Sequence, residues 1–383
     1  LLDPLHVAVI FPRYVHFLAN ASLFKNPIVS WLLNQLYCIP IQRTQDTGGK
    51  PLNNVEAFKR STDFLKKNGC LYIAPEGTSW MEKRLHPIKT GTARIALSFG
   101  KEINFEKELV ILVVGIVYDK PNYFGSKVRI VVNNPIKISD YKNDYFENEK
   151  EAVRKLTQKI ETDLKNSIIH TETIENELVF NTIQNVYYAN SNDDYLVKVD
   201  QSCNIAKKLM HIQHENTEQF QEIEQTTFSL EQILNKYNVD IQLKNKGLNI
   251  AYIIFLLATF PIFIVGFIFN WFVAAFPIFI KKIVKPVIEY HSTFNFLGGL
   301  IGIILIYPLN IKILEYYFSF NSTYLEWWGI VIGMLIVGVA AKWWQILVFK
   351  TIGVLKWKKL RKKQHEDYKT ICELEQKTLN YFL

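Results

Sequence analysis

The chain has 383 residues, a formal charge of +8, four cysteines and a 49% share of hydrophobic residues, enough for two or three structural units with a sizeable core. Cys38, Cys70, Cys203 and Cys372 lie far apart without paired or metal-ligand spacing, which excludes a disulfide framework or structural zinc and implies free thiols in a reducing compartment. The positive charge is concentrated: seven Lys or Arg and no acid fall between Lys350 and Lys363, directly after an apolar run, so a membrane surface and not nucleic acid is the expected partner.

Residues 1–141 alternate short apolar runs with helical patterns, the signature of an α/β domain in which helices flank a mixed sheet. Strands are expected at Tyr14 to Ala19, Tyr37 to Ile41, Leu71 to Ala74, Leu109 to Tyr118 and Lys127 to Val132. Helices are expected at Pro27 to Leu36, Asn54 to Lys67 and Thr90 to Phe99, each with apolar residues at helical spacing and Asn, Ser or Thr near its start. The opening Leu1-Leu2-Asp3-Pro4 has neither a start methionine nor a signal peptide, so the natural chain is expected to extend upstream.

Residues 142–246 turn to Glu, Lys, Asn and Gln, with an apolar stripe beginning Val153, Leu156, Ile160 and Leu164. A helical, polar middle region packed as an arm on the first domain is expected. His170, His211 and His214 sit among Glu and Gln, which reads as a solvated helix face and not a metal site.

Residues 247–349 have membrane lengths: Gly247 to Ile280 and Ser292 to Ile311 carry no charge, and Trp327 to Phe349 carries only Lys342. The first run is interrupted by Pro261, Gly266, Asn270 and Pro277, which predicts a re-entrant hairpin, followed by two conventional spans. Residues 350–383 form a basic tail. The lysines at 281, 282 and 285 and the cluster at 356–363 predict a cytoplasmic domain and tail.

Chemistry concentrates in the first domain. The strand Leu71 to Ala74 runs into Pro75-Glu76-Gly77-Thr78-Ser79, a turn with a carboxylate, a glycine and two hydroxyls that suits a polyol phosphate. Ile39-Pro40-Ile41-Gln42-Arg43 ends in the residue best fitted to bidentate phosphate capture. Pro87-Ile88-Lys89-Thr90 puts Lys89 at a helix start whose N–H groups can face an anion. Each element alone reads as an ordinary strand end, surface arginine or helix start.

In this order they resemble the glycerophospholipid acyltransferase superfamily, which is recognised by four sequence blocks, and the resemblance covers residues 1–141. Ile39 to Arg43 matches the second block, Pro75 to Thr78 the third and the apolar Val110 to Tyr118 the fourth. Phe17 to Lys25, the spacer from Trp80 to Lys89 and the apolar last third are similar to the fungal type of glycerol-3-phosphate acyltransferase. The first block is a His followed four or five residues later by Asp. Asp3-Pro4-Leu5 looks like its second half, so the histidine is expected just upstream of Leu1. His6 follows Asp3 and His16 lies within a strand, and both read as structural. Ala74 stands where the family usually has Phe, Val113 where it often has Pro, and Trp80 where the fungal type tends to have His.

The resemblance implies transfer of an acyl group from acyl-CoA or acyl carrier protein to glycerol-3-phosphate or 1-acylglycerol-3-phosphate. It implies no cofactor, no metal and no covalent acyl-enzyme. The upstream histidine would take the acceptor's hydroxyl proton and Asp3 would orient it, while Arg43, Glu76, Gly77, Thr78, Ser79 and Lys89 hold the acceptor. Membrane lipids and the acyl donor are the implied partners. Another lyso-lipid acceptor, or a non-catalytic lipid-binding protein on the same fold, are the alternatives.

Overall fold

Val15–Asn20 (β1), Cys38–Ile41 (β2) and Cys70–Tyr72 (β3) are short β-branched or aromatic runs, and they pair in parallel in the order β2-β1-β3. The computed structural model describes residues 2–42, 54–248, 250–319 and 322–382. The chain divides into two compact units, Leu1–His170 and Thr171–Leu383.

In the first unit, Leu2–Ile10 (α1) precedes β1, Pro27–Gln35 (α2) links β1 to β2, Val55–Lys66 (α3) leads into β3, and Gly91–Glu102 (α4) follows it. Val110–Ile111 (β4) pairs antiparallel with Ile136–Lys137 (β7), and Val114–Tyr118 (β5) with Val128–Val132 (β6). Every expected strand and helix is present to within a few residues. Both pairing directions occur, but they are shared among three small sheets. The expected strand at Leu109 to Tyr118 is broken into β4 and β5, and its two parts bond to different partners.

Two apolar clusters hold this unit. Leu65, Ile95 and Phe99 meet Leu18, Leu71 and Ile73, so α3 and α4 cover the parallel sheet. On its other side α4 turns Ala93 and Leu97 towards Val113, Ile136 and the stripe Val153, Leu156 and Ile160 of Glu149–Ser167 (α6), which follows the short helix Lys142–Glu147 (α5). Leu97 and Leu156 are 0% exposed, and each such leucine contributes about 1.5–3 kcal/mol. The unit runs to residue 170, because the α6 stripe has its apolar partners on α4, at Val113 and on β7 and belongs to this core.

The second unit begins with three polar helices, Ile174–Asn190 (α7), Tyr195–Glu215 (α8) and Thr217–Tyr237 (α9), each started by a side-chain cap from Thr173, Asp194 or Asn216. Three further helices are long and apolar enough to cross a membrane: Ile250–Val284 (α10), His291–Phe318 (α11) and Tyr324–Lys363 (α12). His365–Phe382 (α13) returns to the polar helices. Val186, Leu230, Trp357, Leu360 and Ile371 of α7, α9, α12 and α13 form one cluster with Ile241, which precedes α10.

The re-entrant hairpin expected before Ile280 is absent: α10 is one helix of 35 residues with Pro261 and Pro277 inside it. A proline forfeits one backbone bond, but breaking the helix in hydrocarbon would expose many more unpaired groups, so the continuous helix is the less costly solution. α10 and α12 run antiparallel. The Trp344 indole N–H donates to the Leu256 carbonyl (3.0 Å), and Asn270 Nδ2 donates to the Met334 carbonyl (3.1 Å). Tyr307 of α11 completes this midbundle network by donating to Asn270 Oδ1 (2.7 Å). At Gly266 a Cβ would lie 2.2 Å from the Val337 carbonyl oxygen, so only glycine permits that approach. Beyond the apolar part, α12 reaches the chain that precedes α10, where the Trp357 indole donates to the Asp240 carbonyl (2.8 Å).

Candidate active site

Four polar side chains converge from separate elements of the first unit. Asp3 is on the first turn of α1, Tyr72 ends β3, Glu76 lies in the turn that follows, and Tyr118 ends β5. The Tyr118 hydroxyl donates to Asp3 Oδ1 (2.5 Å). Burial raises the Tyr118 pKa, and the adjacent Asp3 charge and this bond raise it further. The Tyr72 phenol is likewise held up by burial and then by the charges of Asp3 and Glu76. Both phenols therefore stay protonated and can act as donors throughout the physiological range.

Glu76 is pushed above the ordinary carboxylate value by burial. The His86 backbone N–H, which donates to Glu76 Oε1 (2.8 Å), and the His86 charge pull it down, while Asp3 pushes it up. The two carboxylates thus sense one another across the site. Such a partly desolvated pair suits a site that binds a polar substrate.

The turn is built to bring backbone close. Gly77 has φ +74°, which favours glycine, and its N–H donates to the Ala74 carbonyl (3.1 Å). The Lys89 N–H donates to the Pro75 carbonyl (2.7 Å), which ties the turn to the segment entering α4. Lys89 itself is exposed, Thr78 is half-buried and Ser79 is exposed.

Of the residues singled out in the sequence, Asp3 and Glu76 are thus brought into one site, and Gly77 and Lys89 are joined to it through the turn. Arg43 lies outside the described residues. Gln42, the residue after β2, has its backbone N–H and carbonyl both bonded by the Asn54 side chain (2.8 and 2.9 Å).

His16 stacks on Phe64 (3.7 Å between ring centroids) and Tyr37 (4.9 Å), and burial lowers its pKa. His6 lies against Tyr118 at 5.8 Å. Tyr72, Tyr118 and the spacer residues Glu82, Arg84 and His86 were not singled out by sequence. A tyrosine closing an apolar strand reads as a strand former, and only its recurrence at the ends of both β3 and β5 hints at a shared pocket.

A profile of the Acyltransferase family matches residues 1–117. The chloroplastic 1-acyl-sn-glycerol-3-phosphate acyltransferase of Brassica napus is 26% identical over 127 residues, covering 31% of this chain and 33% of that protein. Glycerol-3-phosphate O-acyltransferase 2 of Saccharomyces cerevisiae is 32% identical over 114 residues, covering 30% of this chain and 15% of its own. Glycerol-3-phosphate O-acyltransferase 1 of the same yeast is 28% identical over 135 residues, covering 34% and 17%. The chain therefore spans about a third or less of the length of these relatives. No solved structure matches. Residues 1–117 thus carry an Acyltransferase-family domain, and over this stretch the chain is similar to acyltransferases of glycerol-3-phosphate and of its 1-acyl form.

Proposed function

We propose that the protein is a membrane-bound O-acyltransferase that moves a fatty acyl group from acyl-CoA or acyl carrier protein to the hydroxyl of glycerol-3-phosphate or 1-acylglycerol-3-phosphate. The observation that carries this reading is the convergence of Asp3, held by Tyr118, with Glu76 at one half-buried site.

A glycerol hydroxyl is a weak nucleophile at neutral pH and must lose its proton as it attacks the thioester carbonyl. The imidazole expected just upstream of Leu1 takes that proton. Tyr118 occupies Oδ1 of Asp3, fixes the carboxylate and leaves Oδ2 to orient the imidazole and stabilise its cation. The C–S bond of the donor breaks, the thiolate leaves and is protonated from the imidazolium, and an ester is formed. Glu76 accepts from a hydroxyl of the acceptor's glycerol, and Arg43, Gly77, Thr78, Ser79 and Lys89 bind the phosphate end. All of this is positioning of one proton transfer, so the expected loss on removing Asp3 is large.

The membrane arrangement follows from parity. The chain before α10 and the last turns of α12 meet at one end of the bundle, which favours two full crossings, α10 and α12, with α11 entering and leaving on the far side. The basic residues from Lys350 to Lys363 favour a cytoplasmic position for the end they occupy, and with it for the catalytic domain.

The test is acyl transfer by membranes containing the protein, followed as thiol release from acyl-CoA, in wild type and Asp3→Ala. Acceptor-dependent release that vanishes in the variant supports the reading. Release that is unchanged in the variant overturns it.

A further inference from the structure

The spacer that joins the Glu76 turn to α4 is folded around its own charged cluster. Trp80 stacks on His86 with ring centroids 4.0 Å apart and planes at 17°. Glu82 Oε2 is shared: Arg84 Nη2 donates to it at 2.6 Å, and His86 Nε2 lies at 3.0 Å. From the other side the Leu85 N–H donates to His170 Nδ1 (3.1 Å). The His86 backbone N–H is the one that holds Glu76. The loop thus pins Glu76 at one end and carries a guanidinium two residues before that anchor.

A guanidinium has five N–H donors in a planar fork. Arg84 Nε is buried and has no hydrogen-bond partner among the described residues, although the side chain as a whole is 29% exposed. A buried donor left without an acceptor is unusual in a folded chain and calls for one from outside. Glu82 is not committed to Arg84 alone, because His86 Nε2 lies within hydrogen-bond reach of the same oxygen. We infer that Arg84 grips the phosphate of the acyl acceptor, exchanging its contact with Glu82 for a forked contact with two phosphate oxygens. Trp80 and His86 keep the loop in place for it. This inference rests on the function proposed above and adds a residue to its acceptor-binding side.

The experiment is steady-state acyl transfer by membranes carrying the full chain, with acceptor and acyl-CoA varied separately in wild type, Arg84→Gln and Glu82→Gln. Arg84→Gln is expected to raise KM for the acceptor by about tenfold to a hundredfold and leave KM for acyl-CoA unchanged. It is also expected to weaken competitive inhibition by inorganic phosphate to the same degree. Glu82→Gln, which keeps the loop's shape but releases the guanidinium, is expected to leave the acceptor KM at or below that of wild type.

An unchanged acceptor KM in Arg84→Gln, or a raised KM for acyl-CoA instead, overturns the inference while leaving the enzyme reading intact. Equal damage from both variants shows a loop staple and also overturns it. A wild type silent towards both acceptors fails the proposed function itself.

Discussion

The two units treat buried polar groups in opposite ways. In the membrane bundle they are satisfied by one another: Asn270 bonds to the Gly266 and Met334 carbonyls and accepts from Tyr307, and Asn310 bonds to the Phe269 carbonyl. In the first unit the Asp3 charge acts on Glu76 and on the Tyr72 and Tyr118 phenols, Glu76 is held above its ordinary pKa, and Arg84 Nε has no acceptor among the described residues. A scaffold in hydrocarbon must close its own hydrogen bonds, whereas a site that meets a polar substrate keeps part of its bonding capacity open. Substitutions in the first unit should therefore alter chemistry more than stability, and those in the bundle the reverse.

The sharpest break in that contrast comes from Asp3→Ala, expected to lower kcat by about a thousandfold or more with little change in thermal midpoint, as read by thiol release and thermal unfolding in detergent. Next is Gly266→Val, which forces a side chain against the Val337 carbonyl. It should cost about 1–3 kcal/mol in detergent unfolding while leaving kcat unchanged below the melting range. Gly299→Ala, with nothing within 4 Å of the added carbon, is its silent control.

Tyr118→Phe removes only the hydroxyl that fixes Asp3. A fall of about tenfold in kcat is expected, with the acceptor KM nearly unchanged, because the residue positions the carboxylate and does not hold substrate.

The smallest effect is a stability one. The folded pKa of Glu76 is raised mainly by burial, so its ionisation opposes folding. Its contribution to stability is complete below the unfolded value and is lost as pH rises through the folded one. Glu76→Gln, which can still accept from His86, should therefore raise the midpoint by about 2 °C at pH 7. That gain should disappear below pH 4, where the carboxyl is neutral in both states. A gain that persists in acid would show that the charge is not the cause.

Much of the first unit was legible because alternation and helix-start residues report local structure directly. The runs at Val15, Cys38, Cys70 and Val128 became strands, and Asn54 and Thr90 stand at helix starts. Asp3 and Glu76 were legible as parts of an ordered pattern. Tyr72, Tyr118, Arg84 and His86 were not, because their meaning lies in which strand ends and loops meet.

The stripe of α6 announced an amphipathic helix against the first domain but not that it would complete that domain's core. Pro261 and Pro277 read as breaks because sequence rules for proline assume water is available to the freed backbone groups, and around α10 it is not.

The central claim is tested most directly by product. Membranes containing the full-length protein are given labelled acyl-CoA with glycerol-3-phosphate or with 1-acylglycerol-3-phosphate, and the labelled lipid is identified. The account predicts labelled lysophosphatidate from the first or phosphatidate from the second, absent in Asp3→Ala. Label that stays in the thioester or appears only as free fatty acid with both acceptors would contradict it.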